Sequence, residues 1–171
     1  IYSETSSVDL IQGEIKTFVI KNRGSGYQNP TILIDPSNST AEAKVVNGQI
    51  TRVIQTTTGN YLDTPNVRIT SGEGAAFELT FDNYGRITGV LIDNSGNYYI
   101  DPPALSVVDS SGRGQGALVS CIVLEGSIFE VQVENPGIDY NPLTTTIVTT
   151  PIGSGAEIEA VVERYQFNRY Q

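Results

Sequence analysis

A repeat of about 37 residues runs through most of the chain and limits what it can fold into. Each copy opens with Gly-x-Ile and a short apolar strand. A Gly and a Tyr follow close together, then a Pro, a second strand, a glycine-rich loop and a third strand. The opening glycines are Gly13, Gly48, Gly85 and Gly126, spaced by 35, 37 and 41 residues. The tyrosines Tyr27, Tyr61, Tyr98 and Tyr140 are spaced by 34, 37 and 42. Two separate markers that drift together define one period, and a fixed period of this size signals a repeat architecture. The copies are 13–47, 48–84, 85–125 and 126–163.

Local chemistry assigns the copies to β-structure. Phe77-Glu78-Leu79-Thr80-Phe81, Val131-Gln132-Val133-Glu134 and Ile158-Glu159-Ala160 alternate apolar and polar residues, as a half-buried strand does. Asn47-Gly48 between Val46 and Ile50 is a strong hairpin signal. Tyr84-Gly85 and Glu125-Gly126 hold the equivalent places with weaker turn chemistry. The third strand of one copy is therefore expected to pair antiparallel with the first strand of the next. Glycine before the tyrosine admits a positive φ, and the proline after it (Pro30, Pro65, Pro102-Pro103, Pro142) starts the second strand. Three of the copies end their glycine-rich loop in Gly-Ala, at Gly74-Ala75, Gly116-Ala117 and Gly155-Ala156. No segment shows a capped helical period.

The expectation is an all-β chain of four units with three short strands each, stacked as a β-solenoid or closed as a prism or barrel. One unit is too small to bury its own apolar face, so neighbouring units must supply the core. Residues 1–12 read as a lead-in with a strand near Val8 to Ile11. Residues 164–171 depart from the repeat.

Composition narrows the function classes. The formal net charge is −9, which argues against nucleic acid and anionic membrane as partners. No apolar run nears the roughly 20 residues of a membrane-spanning helix. The chain starts at Ile1 and contains no Met, which predicts a processed product or a segment of a longer protein. The single Cys121 sits in an apolar run and is expected to be a buried, inert thiol.

With no histidine in the chain, Ser-His-Asp and Cys-His chemistry and imidazole-dependent zinc sites are removed. Gly112-Arg113-Gly114-Gln115-Gly116 lacks the Lys-Ser/Thr of a phosphate cradle and reads as a flexible loop. Nineteen acids leave a glycosidase carboxylate pair conceivable, but none lies in a distinctive motif. Asp93-Asn94-Ser95 and Asp109-Ser110-Ser111 offer oxygen ligands for calcium, and solvated turns are the simpler reading. No cofactor is expected, and no enzyme.

The recurring tyrosines are expected to pack unit on unit. Sugar stacking is the rival reading, with Tyr98 and Tyr99 as the possible glycan-binding residues and Tyr99 the ring expected to be exposed. The segment holding Arg164, Tyr165, Phe167, Arg169 and Tyr170 is aromatic and basic on an acidic chain. That composition matches protein interfaces, so these residues are the candidate partner-binding site. A final edge strand folded back on its own body is the alternative.

The pattern Gly24-Ser25-Gly26-Tyr27-Gln28-Asn29-Pro30, with Gly48-Gln49-Ile50-Thr51-Arg52-Val53 and Gly85-Arg86-Ile87-Thr88-Gly89-Val90, resembles a repeat of virion proteins from T4-like tailed phages. The repeat is particularly familiar from phages that infect marine cyanobacteria, in tail, baseplate and fibre-associated proteins. Bacterial surface proteins carry similar glycine-tyrosine-proline repeats. The resemblance covers residues 13–162 and brings no catalytic residues. It implies a non-enzymatic structural role in an extracellular particle assembled in the host cytoplasm. It also implies an oligomer whose partners are other virion proteins or copies of itself. A carbohydrate-binding adhesin, with a surface glycan as ligand, is the second expectation.

Overall fold

A computed structural model describes residues 12–164. These are all-β, in the order β1 (Gly13–Ser25), β2 (Thr31–Asp35), β3 (Thr40–Val46), β4 (Gln49–Thr57), β5 (Asn66–Thr70), β6 (Glu73–Phe81), β7 (Ile87–Asn97), β8 (Ala104–Asp109), β9 (Gln115–Leu124), β10 (Ser127–Ile138), β11 (Thr145–Thr150) and β12 (Ser154–Arg164). The strands pair as six two-stranded ribbons, so the described residues form no closed barrel. Three ribbons are the expected hairpins, β3–β4, β6–β7 and β9–β10, all antiparallel. In the fourth long ribbon, the last strand pairs with the first: β12 lies antiparallel to β1, from Gly13 against Arg164 to Ser25 against Ser154. The short strands pair as β2–β5 and β8–β11.

The strands are less uniform than expected. Those that open each copy run to 13, 9, 11 and 12 residues, whereas the middle strands have five or six. Length in the opening strands comes with paired bulges. The register jumps at Lys16 and Lys21 in β1, at Thr51 and Thr56 in β4, at Thr88 and Asp93 in β7, and at Phe129 and Glu134 in β10. Every strand thus bulges at the third and eighth residue after its opening glycine. A bulge bends its strand and raises the right-handed twist, and this turns a long ribbon around a core that a flat one would overrun.

The chain divides into two compact units. One comprises the described residues up to Ile69 together with those from Gly153, and the other is Thr70–Ile152. Each holds two long ribbons and one short one in the same order. The first has β12–β1, β3–β4 and β2–β5, and the second has β6–β7, β9–β10 and β8–β11.

The Ile of each Gly-x-Ile opening is buried. In the first unit Ile15 and Ile50 pack with Tyr27, Ile32, Ile34, Tyr61, Ile158 and Ala160. In the second, Ile128 packs with Tyr99 and Cys121, and Ile87 is buried as well. Full burial of one such side chain stabilises by about 1.5–3 kcal/mol, so these four positions anchor the ribbons.

Candidate functional site

The glycine-tyrosine motif is where the structure shows what the repeat does. In the second unit Asn94 accepts a hydrogen bond from the amide of Gly96 at 2.9 Å. Gly96 has φ +70° and Tyr98 +68°, and the chain reverses so that Tyr99 enters the core. The Tyr99 ring lies between two glycines. A Cβ on Gly96 would sit 2.6 Å from ring atom Cε2, and one on Gly72 would overlap the other side of the ring. The Tyr99 hydroxyl accepts from the amide of Ala75. Burial pushes the Tyr99 phenol up from its ordinary value, and the Ala75 amide opposes this.

The same clamp recurs. Asn135 accepts from Gly137 at 2.9 Å, Gly137 and Gly114 flank the Tyr140 ring, and the Tyr140 hydroxyl accepts from Ala117 at 3.0 Å. Asn22 accepts from Gly24 at 2.8 Å, Gly24 and Gly153 flank Tyr27, and its hydroxyl accepts from Ala156 at 3.2 Å. Each tyrosine therefore grips the Gly-x-Gly-Ala of the preceding copy, and Tyr27 grips that of the last. The second copy has neither the Asn nor a Gly-Ala partner, and the Tyr61 hydroxyl instead bonds the buried Ser39 hydroxyl at 2.6 Å. The backbone completes the stitching within each unit. Tyr27 donates to Gly48 and Tyr61 to Gly13, while Tyr99 donates to Gly126 and Tyr140 to Gly85, at 2.8–3.1 Å.

These contacts reverse the expectation for Tyr98 and Tyr99. Tyr99 is 2 % exposed and is the clamped residue, whereas Tyr98 is 42 % exposed. The physical reason is the fixed distance from the ribbon end. The clamp places its tyrosine three residues after the left-handed glycine and five after the Asn, as in Asn22/Gly24/Tyr27 and Asn135/Gly137/Tyr140. The signal in the sequence is Asn-x-Gly-x-x-Tyr, which selects Tyr99, whereas the first tyrosine after the glycine is Tyr98. Tyr99 is therefore no stacking platform, and Tyr98 stands where Gly26 and Asp139 stand in the other clamps.

Of the basic, aromatic C-terminal residues, only Arg164 is described. It ends β12 opposite Gly13, and its guanidinium donates to the Tyr61 carbonyl at 2.9 Å. Arg164 thus has a role inside the first unit. Tyr165, Phe167, Arg169 and Tyr170 lie outside the described residues, as does the strand expected near Val8 to Ile11.

The segment 112–116 is not the flexible loop its glycines suggested. Asp109 organises it, accepting from Ser111 N and Oγ (2.9 and 2.7 Å), Gly114 N (2.9 Å), Asn141 N (3.3 Å) and the Thr144 hydroxyl (2.6 Å). These donors, the Thr144 hydroxyl foremost, hold the Asp109 carboxyl well below the usual carboxylate range. A carboxylate used up in this way is a loop organiser. Asn94 is likewise engaged at Gly96. Among the described residues no group of three acids or Cys is placed to hold a metal ion. Cys121 is buried, donates to the Pro103 carbonyl at 3.6 Å, and has its thiol pushed up by burial.

The outward chemistry is unevenly divided. Among the described residues, the first unit carries seven basic and seven acidic side chains, and the second carries two basic and ten acidic. Exposed large apolar side chains follow the same division, with four on the first unit and twelve on the second. Several of the twelve lie on β9–β10, where Leu118, Ile122 and Leu124 alternate along one face and the bulged Phe129 is 62 % exposed. In the turn before β7, Tyr84 is exposed, with the Arg86 guanidinium 5.0 Å from its ring centre and paired to Asp82 at 2.6 Å. No protein-family model, no curated protein and no solved structure matches this chain.

Proposed function

We propose that this chain is a non-enzymatic structural component of a phage virion, located at the tail, baseplate or fibres. In this reading its four copies, 13–47, 48–84, 85–125 and 126–163, form the scaffold, and of the segment 164–171, whose Arg164 is engaged inside the first unit, residues 165–171 dock on a neighbouring subunit. The observation that carries the reading is the tyrosine clamp. The residues that define the repeat and its resemblance to virion proteins are spent on holding successive copies together, as a scaffold requires. The apolar and acidic surface gathered on one unit supplies a face for assembly, since exposed apolar patches mark interaction sites. The test is the native mass of the full chain by light scattering, beside a version ending at Arg164, which keeps β12 whole. The expected result is a multimer that becomes a monomer on truncation. Monomers in both cases overturn self-assembly through the terminal segment.

A second reading, a carbohydrate-binding adhesin, is favoured by two exposed rings, Tyr98 and Tyr84, the latter beside Arg86 and Asp82. It requires saturable glycan binding that Tyr98→Ala weakens. A glycan screen without a hit removes it.

A further inference from the structure

Ribbons β3–β4 and β9–β10 hold the same place in the two units, each joining the third strand of one copy to the first strand of the next. Their geometry is shared and their chemistry is opposite. On β3–β4, Lys44 and Arg52 are direct cross-strand partners, and both are exposed. Like charges placed opposite each other destabilise a ribbon. Val46 is exposed on the same strand face, and Glu42 is the acid on that face. On β9–β10 the matching pair is Ile122 against Glu130, and Phe129 occupies the bulge that Thr51 occupies on β4. Leu118 and Leu124 extend the apolar face, and Glu125 lies in the adjoining turn.

We propose that the outer face of β9–β10 docks on the outer face of β3–β4 of a second copy. Glu130 and Glu125 would then meet Lys44 and Arg52, with Phe129, Ile122 and Leu124 covered against Val46. Charge complementarity selects this occupant. The second unit has ten acids and two cations among its described residues, while the first holds seven of the nine cations, including the like-charged pair that an acidic partner relieves. Because the two faces differ, one such contact leaves a β3–β4 face on one copy and a β9–β10 face on the other still uncovered, and these can meet each other in a closed pair or take up further copies. This inference rests on the assembly reading but uses a surface distinct from residues 164–171.

The test is sedimentation velocity of the full chain at a series of concentrations, beside Glu130→Lys, the pair Lys44→Glu with Arg52→Glu, and all three changes together. All the altered positions are exposed, and a thermal melt confirms the fold of each variant. The expected result is a self-associating parent whose association weakens at least about tenfold in Glu130→Lys and in the Lys44/Arg52 pair. Mixing those two variants, or combining the changes in one chain, should restore it. Phe129→Ser should weaken it independently of charge. A monomeric parent overturns the proposal. So does association that no charge reversal alters, or that the combined reversal fails to restore. Association that is insensitive to these changes but lost on truncation after Arg164 overturns this interface alone and leaves the virion reading in place.

Discussion

At the scale of single residues, the clamp sets how much each position tolerates. Gly96 has a left-handed φ and no room for a Cβ, which would meet the Glu73 carbonyl at 2.5 Å and the Tyr99 ring at 2.6 Å. Gly96→Ala should therefore cost about 3 kcal/mol, from backbone strain and overpacking together, read by denaturant unfolding. Tyr98 is the converse case, a bulky residue held at φ +68°. Tyr98→Gly should raise stability by about 1 kcal/mol, and a loss of stability would show that the exposed ring makes a contact of its own. Asp109 gives a pH signature. Its carboxyl titrates lower in the folded chain than in the unfolded one. Its contribution is therefore complete above the ordinary carboxylate pKa of about 3.9 and is lost as pH falls below it. Asp109→Asn should lower the melting temperature at neutral pH and flatten its decline in acid, and parallel melting profiles for parent and variant would refute this.

At the scale of elements, two of the expected hairpins close in the same way despite unequal sequences. Asn47-Gly48 and Glu125-Gly126 both place their two residues at positive φ, with 52° and 78° in one and 52° and 83° in the other. Two positive φ angles belong to the tight turn that suits the twist of a ribbon. Asn is at ease there and Glu is not, so Glu125→Asn should stabilise by up to about 1 kcal/mol, measured as a shift in the melting midpoint. The third hairpin, with Tyr84-Gly85, solves the problem differently. Asp82 accepts from the amides of Tyr84 and Arg86 and from the Arg86 side chain, and only Gly85 in this turn turns left-handed. Pairing of the third strand of one copy with the first of the next was legible in the sequence because a hairpin is decided by neighbours. Strand length was not, since the paired bulges that let β1, β7 and β10 run on past ten residues leave no single residue type behind. Their positions hold Lys, Thr, Asp, Phe and Glu.

At the scale of the whole molecule, the first unit is completed by the last described strand, while the second is continuous in sequence. Removal of β12 strips β1 of its ribbon partner and Tyr27 of its Ala156 donor. A chain ending at Ile152 should therefore lose the first unit's cooperative melting and keep the second's. The fragment 70–152 expressed alone should give a β-type circular dichroism spectrum and a single thermal transition. A featureless spectrum from that fragment would show that the two units fold only together. The surface is divided at this scale too: among the described residues the second unit holds two of the nine cations and twelve of the sixteen exposed large apolar side chains.

The sequence by itself determined the β class, the hairpin partners and the packing role of Tyr27, Tyr61 and Tyr140, though not of Tyr98. All of these depend on residues a few positions apart, where alternation, turn chemistry and steric bulk act directly. Only the tertiary structure decided that β12 returns to β1, since no local rule favours a pairing between the two ends of a chain. The tyrosine that is clamped, Tyr99 and not Tyr98, follows locally from the Asn94, Gly96 and Tyr99 spacing, and what it grips, Gly72 just before β6 and Ala75 on it, comes from more than 20 residues away and was visible only in the structure. The opposite characters of β3–β4 and β9–β10 became visible only when strands far apart in sequence were set in the same place in their units. Burial then separated the side chains that hold the fold from those left facing outward.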